Sequence, residues 1–184
     1  MRKRTLLLAA AGIALSAPAM AQQGLNAGPL QPLLNLFASS EVGADTFVQQ
    51  AAFGDAFEME SSRILLNGSQ HPNIRQFAEL MIQHHTQLTN TLRSLPEGAT
   101  RIPVGLDERR ARLLAELRQH QGDMLDRHYV AQQIQSHEES ELLYRTYAES
   151  GDVPVLKAFA QQNLPMIREH LRMARALQAP GGQQ

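Results

Sequence analysis

The chain has 184 residues, contains neither cysteine nor tryptophan, and carries a formal net charge of −1. The lack of cysteine excludes a disulfide framework, a thiolate metal site and a thiol enzyme. The slightly acidic balance and an aromatic content of only 5% argue against a nucleic-acid binder, which would present a basic face or aromatic stacking platforms.

The N-terminus has the pattern of an export signal. Three basic residues at positions 2–4 precede the apolar stretch "TLLLAAAGIALSAPAM", and a small-x-small cleavage site follows at Ala19-Met20-Ala21. This pattern predicts a signal peptide over residues 1–21, with Gln22 as the first mature residue. The stretch is short for a membrane span, and no later stretch reaches the ~20 apolar residues that a span needs. We therefore expect a chain exported to the periplasm, with no membrane span in its mature part.

The rest of the sequence predicts one helical domain between two irregular ends. Residues 22–44 are rich in Gly, Pro, Asn and Ser, which is typical of a flexible tether. Residues 45–178 have helical periodicity and are predicted to form the domain, and residues 179–184 a disordered tail. The first long helix is predicted to start at Asp45, a plausible N-cap, and to end at Asn67-Gly68.

Three further long helices follow. The second is predicted from Pro72 to a stop at Pro96-Glu97-Gly98, and a short amphipathic helix within "LDERRARLLAELRQH" comes next. The third runs from Gly122 to Gly151. The fourth is predicted to be capped by Asp152, to kink at Pro165 and to end near Leu177. Long helices of roughly 20–27 residues, each with one apolar stripe and short connections, predict an all-α, up-and-down four-helix bundle with an extra short helix between helices 2 and 3.

Each predicted long helix carries an ionisable or imidazole side chain on or beside its apolar stripe. Glu58 lies on the stripe of the first helix, and His84 and His85 flank the stripe of the second. His137 and His170 lie on or beside the stripes of the third and fourth. Because burying such groups without partners costs several kcal/mol, they must bind each other, water or a metal. One carboxylate and three imidazoles suit Zn, Fe, Mn or Cu, whereas a core hydrogen-bond network is the alternative.

Other polar and sulfur-containing residues have simpler interpretations. The "HEESE" run that starts at His137 is predicted to be solvated charge, although His137 and Glu141 have the i, i+4 spacing of two ligands. His71, His120 and His128 are predicted to be cap and surface residues. Three Met–His pairs also have i, i+4 spacing and would suit copper, but methionine is more commonly core filler. These pairs are Met81/His85, Met124/His128 and Met166/His170.

Several segments resemble an exported bacterial family known as domain of unknown function 4142, described as outer-membrane or periplasmic proteins. The resemblance covers Asp45 to Leu177 and rests on "FVQQAAFGDAFEMESSRI", "FAELMIQHHTQL", "YVAQQIQSHEESELLYRTYAESGD" and "LKAFAQQNLPMIREHLRMAR". It implies a ferritin-like four-helix bundle in the cell envelope, and it selects His85 over His84. The polar positions that it implies are Glu58, His85, His137 and His170. It names no reaction.

The sequence departs from the di-iron enzymes of the ferritin superfamily, which supply two Glu-x-x-His motifs. No Glu-x-x-His motif occurs anywhere in the chain, so a single metal ion, or none, fits better than a di-iron centre. Our first hypothesis is a metal-binding protein for metal handling or envelope stress. The second is a structural module that binds an envelope protein partner, and an enzyme ranks last because no nucleophile–base pair is evident.

Overall fold

A computed structural model describes residues 42–178, and this part of the chain is all-helical. The predicted signal peptide, most of the predicted tether and the predicted tail at 179–184 lie outside the described residues. Within residues 42–178, no helix combines the length and apolar character needed to cross a membrane. The helices are α1 (Ala44–Gly68), α2 (Pro72–Ser94), α3 (Pro96–Ala99), α4 (Glu108–Leu117), α5 (Gly122–Ser150) and α6 (Pro154–Gln178).

The start of α1 differs from the prediction by about one residue. Gly43 is the N-cap, so the predicted cap Asp45 lies inside the first turn. There its negative charge interacts favourably with the positive end of the helix dipole. Its carboxylate accepts a hydrogen bond from Nε of Arg101 at 2.6 Å. Val42 and Ala44, at the end of the predicted tether, are buried. The domain therefore begins slightly earlier than the helical periodicity indicated.

The second helix stops where it was predicted to, since α2 ends at Ser94 with Leu95 as its C-cap. Pro96 itself begins the short helix α3, in a first-turn position that tolerates its missing N–H. Asp152, predicted to cap the last helix, instead accepts a hydrogen bond from the Tyr147 hydroxyl at 2.9 Å. The helix α6 begins at Pro154, and Pro165 lies inside it as predicted.

The four long helices form a ring in which α1 and α6 each pack against both α2 and α5. Buried apolar residues divide into two clusters along the bundle. The first joins the start of α1 to the end of α2, through residues such as Phe47 and Leu92. The second joins the end of α1 to the start of α2, through Leu65 and Ile74. The end of α5 and the start of α6 lie in the first cluster, whereas the start of α5 and the end of α6 lie in the second. Neighbouring long helices are therefore antiparallel.

This arrangement requires a long crossover between α2 and α5. The helix α2 ends beside the first cluster and α5 starts beside the second, so residues 95–121 must travel the length of the bundle. That length is roughly 35 Å for a helix of this size at ~1.5 Å per residue. The expectation of short connections throughout, in a strictly up-and-down order, is therefore wrong at this connection. The predicted extra helix is confirmed as α4, which packs against α1 and α5.

An ion pair between the partly exposed Arg109 and the buried Glu139 holds the crossover against α5. Nη1 of Arg109 donates to Oε1 of Glu139 at 2.8 Å, and Nη2 donates to the other carboxylate oxygen. Nη2 of the buried Arg110 lies 3.8 Å from the same carboxylate. The prediction that the whole "HEESE" run is solvated is therefore wrong for Glu139, because the crossover covers it and supplies the cations that a buried carboxylate needs.

We expect Phe47→Ala to lower the free energy of unfolding by about 3–5 kcal/mol, the usual cost of truncating a buried phenylalanine. The Phe47 ring is fully buried and stacks on the Tyr147 ring with a centroid distance of 4.1 Å. Urea unfolding followed by circular dichroism measures the change. Val104→Ala is the control, because Val104 is exposed and should change the value by less than about 0.5 kcal/mol. Equal stabilities for the two variants would contradict the packing described.

Candidate metal centre

The four long helices bring four predicted site residues to the middle of the bundle, between the two apolar clusters. Glu58 comes from α1, His85 from α2, His137 from α5 and His170 from α6. Each of these residues is at most 1% exposed. The expectation that every long helix directs one such residue toward the interior therefore agrees with the burial of these side chains.

Three of these residues form a compact cluster of imidazoles. His85, His137 and His170 each offer one ring nitrogen, and these nitrogens all lie within 4.8 Å of one another. The ring centroids are 5.3 to 5.6 Å apart. A tetrahedral ion with Zn–N bonds of 2.0–2.1 Å requires nitrogens about 3.3 Å apart. Ring rotations that move each nitrogen by about an ångström would therefore bring the three nitrogens to the spacing that a bound ion requires.

In each of the three rings, one nitrogen has a hydrogen-bond partner and the other does not. Nδ1 of His137 donates to the Gln133 carbonyl at 2.8 Å, so Nε2 carries the lone pair of the neutral ring. Nδ1 of His85 lies 2.8 Å from Oδ1 of Asp55. Among residues 42–178, Nε2 of His85, Nε2 of His137 and Nδ1 of His170 are buried and have no hydrogen-bond partner. One unsatisfied nitrogen per ring is what a three-imidazole ligand set would present.

Asp55 completes the environment of His85 and was missed from the sequence. Its carboxylate is buried, binds His85 through Oδ1 and accepts a hydrogen bond from the Thr89 hydroxyl through Oδ2 at 3.1 Å. Carboxylates in this position fix the tautomer and the orientation of metal-binding histidines. The available signal was spacing, because Asp55 lies three residues before Glu58 and therefore on the same side of α1.

His84 contacts the cluster from its outer edge. Its Nδ1 lies 2.8 Å from Nε2 of His170, and the two rings are nearly parallel at 18°. His84 is half-buried, whereas His85 is fully buried. The helical pattern left both histidines open, and the structure gives them different positions. His85 belongs to the buried trio, and His84 reaches it through His170.

Glu58 lies beside His137. Its Oε1 is 3.6 Å from Nδ1 of His137, which is beyond hydrogen-bond range. That is the edge of the His137 ring bonded to Gln133, and not the edge that carries the free Nε2. Both Glu58 oxygens are buried without a hydrogen-bond partner in the described part of the chain. The role of Glu58 as a metal ligand stays a prediction.

Burial and neighbouring charges set different protonation tendencies within the cluster. Burial, together with the nearby imidazoles, lowers the pKa of His170 to about 2, and burial also lowers the pKa of His137. Burial opposes protonation of His85 too, but the hydrogen bond and charge of Asp55, with the charge of Glu58, raise the pKa of His85 overall. Burial raises the pKa of Asp55. His137 and His170 are therefore held in the neutral form that binds metals.

The residues paired with a histidine in the other spacings singled out in the sequence have contacts or exposure of their own. Met81 is a fully buried core residue, and Met124 is 49% exposed. Glu141 accepts hydrogen bonds from Arg168, at 2.9 Å for Nη2, so its carboxylate points to α6 rather than pairing with His137. These contacts favour core packing and surface charge for the residues concerned.

The model of the family described as "Domain of unknown function (DUF4142)" matches residues 37–177. The chain belongs to the DUF4142 family. The match spans the whole ring of helices in this DUF4142 protein and all four predicted site residues. No curated protein and no solved structure matches the chain. The family description assigns no activity, so function must be argued from the cluster itself.

Asp55→Ala should lower the free energy of unfolding by about 1–3 kcal/mol, because the buried Nδ1 of His85 would lose its partner. Chemical unfolding of the metal-free chain measures the difference from wild type. Glu79→Ala is the matched control, since this carboxylate is exposed on α2 and should matter by less than about 0.5 kcal/mol. If both variants are as stable as wild type, Asp55 does not hold His85.

Proposed function

We propose that this protein binds a single transition-metal ion in the interior of its bundle, with His85, His137 and His170 as ligands. Two observations carry the proposal: the three buried imidazoles each offer a ring nitrogen within 4.8 Å of the others, and each ring has one buried nitrogen without a hydrogen-bond partner among residues 42–178. Leaving each such atom unsatisfied costs about 1–3 kcal/mol, and a metal ion would satisfy all three at once. The lowered pKa values of His137 and His170 support this, because only a neutral imidazole can bind a metal.

The donor set limits which ion fits. Imidazole suits Zn, Cu and Fe, whereas Mn prefers carboxylate and carbonyl oxygens, so Mn is the weakest of the four metals considered. We propose Glu58 as a fourth ligand from α1, because both oxygens of its buried carboxylate have no hydrogen-bond partner among residues 42–178. Asp55 would act outside the ligand set by holding Nδ1 of His85. A single mononuclear ion fits this set better than a carboxylate-bridged pair.

The long crossover supports a ferritin-like arrangement of the bundle. Ferritin-like bundles have one long crossover connection, and residues 95–121 make such a connection between α2 and α5. The N-terminal pattern of basic residues, an apolar stretch and a small-x-small site supports export to the periplasm. Together these features favour metal handling or protection from envelope stress as the role. They supply no nucleophile–base pair that would favour an enzyme.

A structural module is the second candidate. The contacts that favour it already exist: His85 binds Asp55, His137 binds Gln133 and His84 binds His170. In this version, ordered water would satisfy the remaining nitrogens and the network would fix helix register. The outer faces of the bundle would then bind an envelope protein.

Metal analysis of the mature chain, purified from periplasm without chelator, separates these candidates. We expect one tightly held ion per chain after gel filtration, and at least about tenfold less in His85→Ala and in His170→Ala. His71→Ala is the matched control and should keep the ion, because His71 is the N-cap of α2 and lies outside the cluster. Circular dichroism verifies that each variant is folded.

A wild-type chain that is metal-free and shows no thermal shift with Zn²⁺, Cu²⁺, Fe²⁺ or Mn²⁺ would overturn the metal proposal and leave the hydrogen-bond network. Glu58→Gln tests the fourth ligand separately. It keeps the size of the side chain and removes its charge, so metal affinity should fall at least about tenfold if Glu58 is a ligand. Unchanged affinity would exclude Glu58 from the ligand set and leave the three histidines.

A further inference from the structure

A second group of metal-ligating side chains lies where the crossover meets α5, outside the buried cluster. Glu116 is on α4, His120 is in the connection between α4 and α5, and His128 is on α5. One ligand atom from each lies within 4.8 Å of the others. Glu116 is exposed and both histidines are half-buried, so this group is accessible to solvent. The sequence pattern suggested only cap and surface residues here.

The contacts within this group position the donors side by side. The rings of His120 and His128 are stacked, with centroids 3.8 Å apart and planes 16° from parallel. One nitrogen of each ring lies within 4.8 Å of a nitrogen of the other ring. Oε1 of Glu116 lies 3.6 Å from Nδ1 of His128, which is too long for a hydrogen bond. It is close to the roughly 3.3 Å that separates two ligand atoms of one tetrahedral zinc ion.

We propose that Glu116, His120 and His128 form a second site, which binds a divalent zinc or copper ion at the surface. Two imidazoles and one carboxylate are a recurrent three-ligand set for Zn²⁺, with water in the fourth position. Imidazole also suits Cu²⁺. Because His128 is 33% and Glu116 is 51% exposed, solvent can supply that fourth ligand. Accessibility also means that this ion exchanges faster than an ion in the interior.

The position of the site gives the ion a structural effect. Its ligands come from three consecutive parts of the chain, so a bound ion would tie the end of the crossover to the first turns of α5. The ion pair between Arg109 and Glu139 already fastens α4 to α5 at a different point. The metal site would fix the residues that follow, 118–121, which connect α4 to α5. Zinc would therefore slow local opening of this connection.

Zinc titration of the tag-free mature chain tests the proposal. We expect wild type to bind two Zn²⁺ ions and the double variant His120→Ala/His128→Ala to bind one. Glu116→Gln should weaken the surface site by at least about tenfold, as expected when a charged ligand is lost. His71→Ala is the control and should bind as wild type does. Hydrogen exchange should show that Zn²⁺ slows exchange in residues 118–121 of wild type, and not of the double variant.

The outcome does not depend on the buried cluster. If the interior does not bind Zn²⁺, wild type should bind one ion and the double variant none. If the interior does bind, His170→Ala should remove one ion and leave the surface site intact. A double variant that binds as many Zn²⁺ ions as wild type, with the same affinity, would overturn the second site. Binding that saturates only at millimolar Zn²⁺ would also overturn it.

Discussion

The structure depends on one constraint, which is that polar side chains placed in the middle of an apolar bundle must be satisfied there. Each long helix contributes such a side chain between the two apolar clusters. Asp55 and Gln133 bind one ring nitrogen each of His85 and His137. The other nitrogen of each of these rings is buried and has no hydrogen-bond partner in the described part of the chain. The bonded nitrogen fixes the tautomer of each neutral ring, and the free nitrogen is the one that the proposed metal ion would bind.

The crossover is the second determinant of the architecture, because it fixes the directions in which the helices run. A buried carboxylate at Glu139 and the guanidinium groups of Arg109 and Arg110 hold it against α5. Removing one member of such a pair would leave a buried charge, so the two sides depend on each other. The same segment ends at the stacked histidines His120 and His128. The connection in which the sequence predicted only an extra short helix is therefore an integrated part of the domain.

Helical periodicity was sufficient to predict the long helices and the residues that face the interior, because a 3.6-residue period relates sequence directly to burial. Periodicity therefore predicts that Glu58, His137 and His170 face the interior. Asp55 was not, since its importance comes from a contact with His85 on another helix. Periodicity does not predict the burial of Glu139 either, because the crossover, which is distant in sequence, covers it. Helix direction was also missed, since periodicity does not report which end of the bundle a connection reaches.

The division of the long helices into two pairs has a consequence for assembly. The short connections at residues 69–71 and 151–153 make α1–α2 and α5–α6 local hairpins, which can form early because their ends are close in sequence. His85 belongs to one hairpin, whereas His137 and His170 belong to the other. The three imidazoles therefore meet only when the hairpins dock. An ion held by all three could bind only after the hairpins dock, and it would stabilise the docked state.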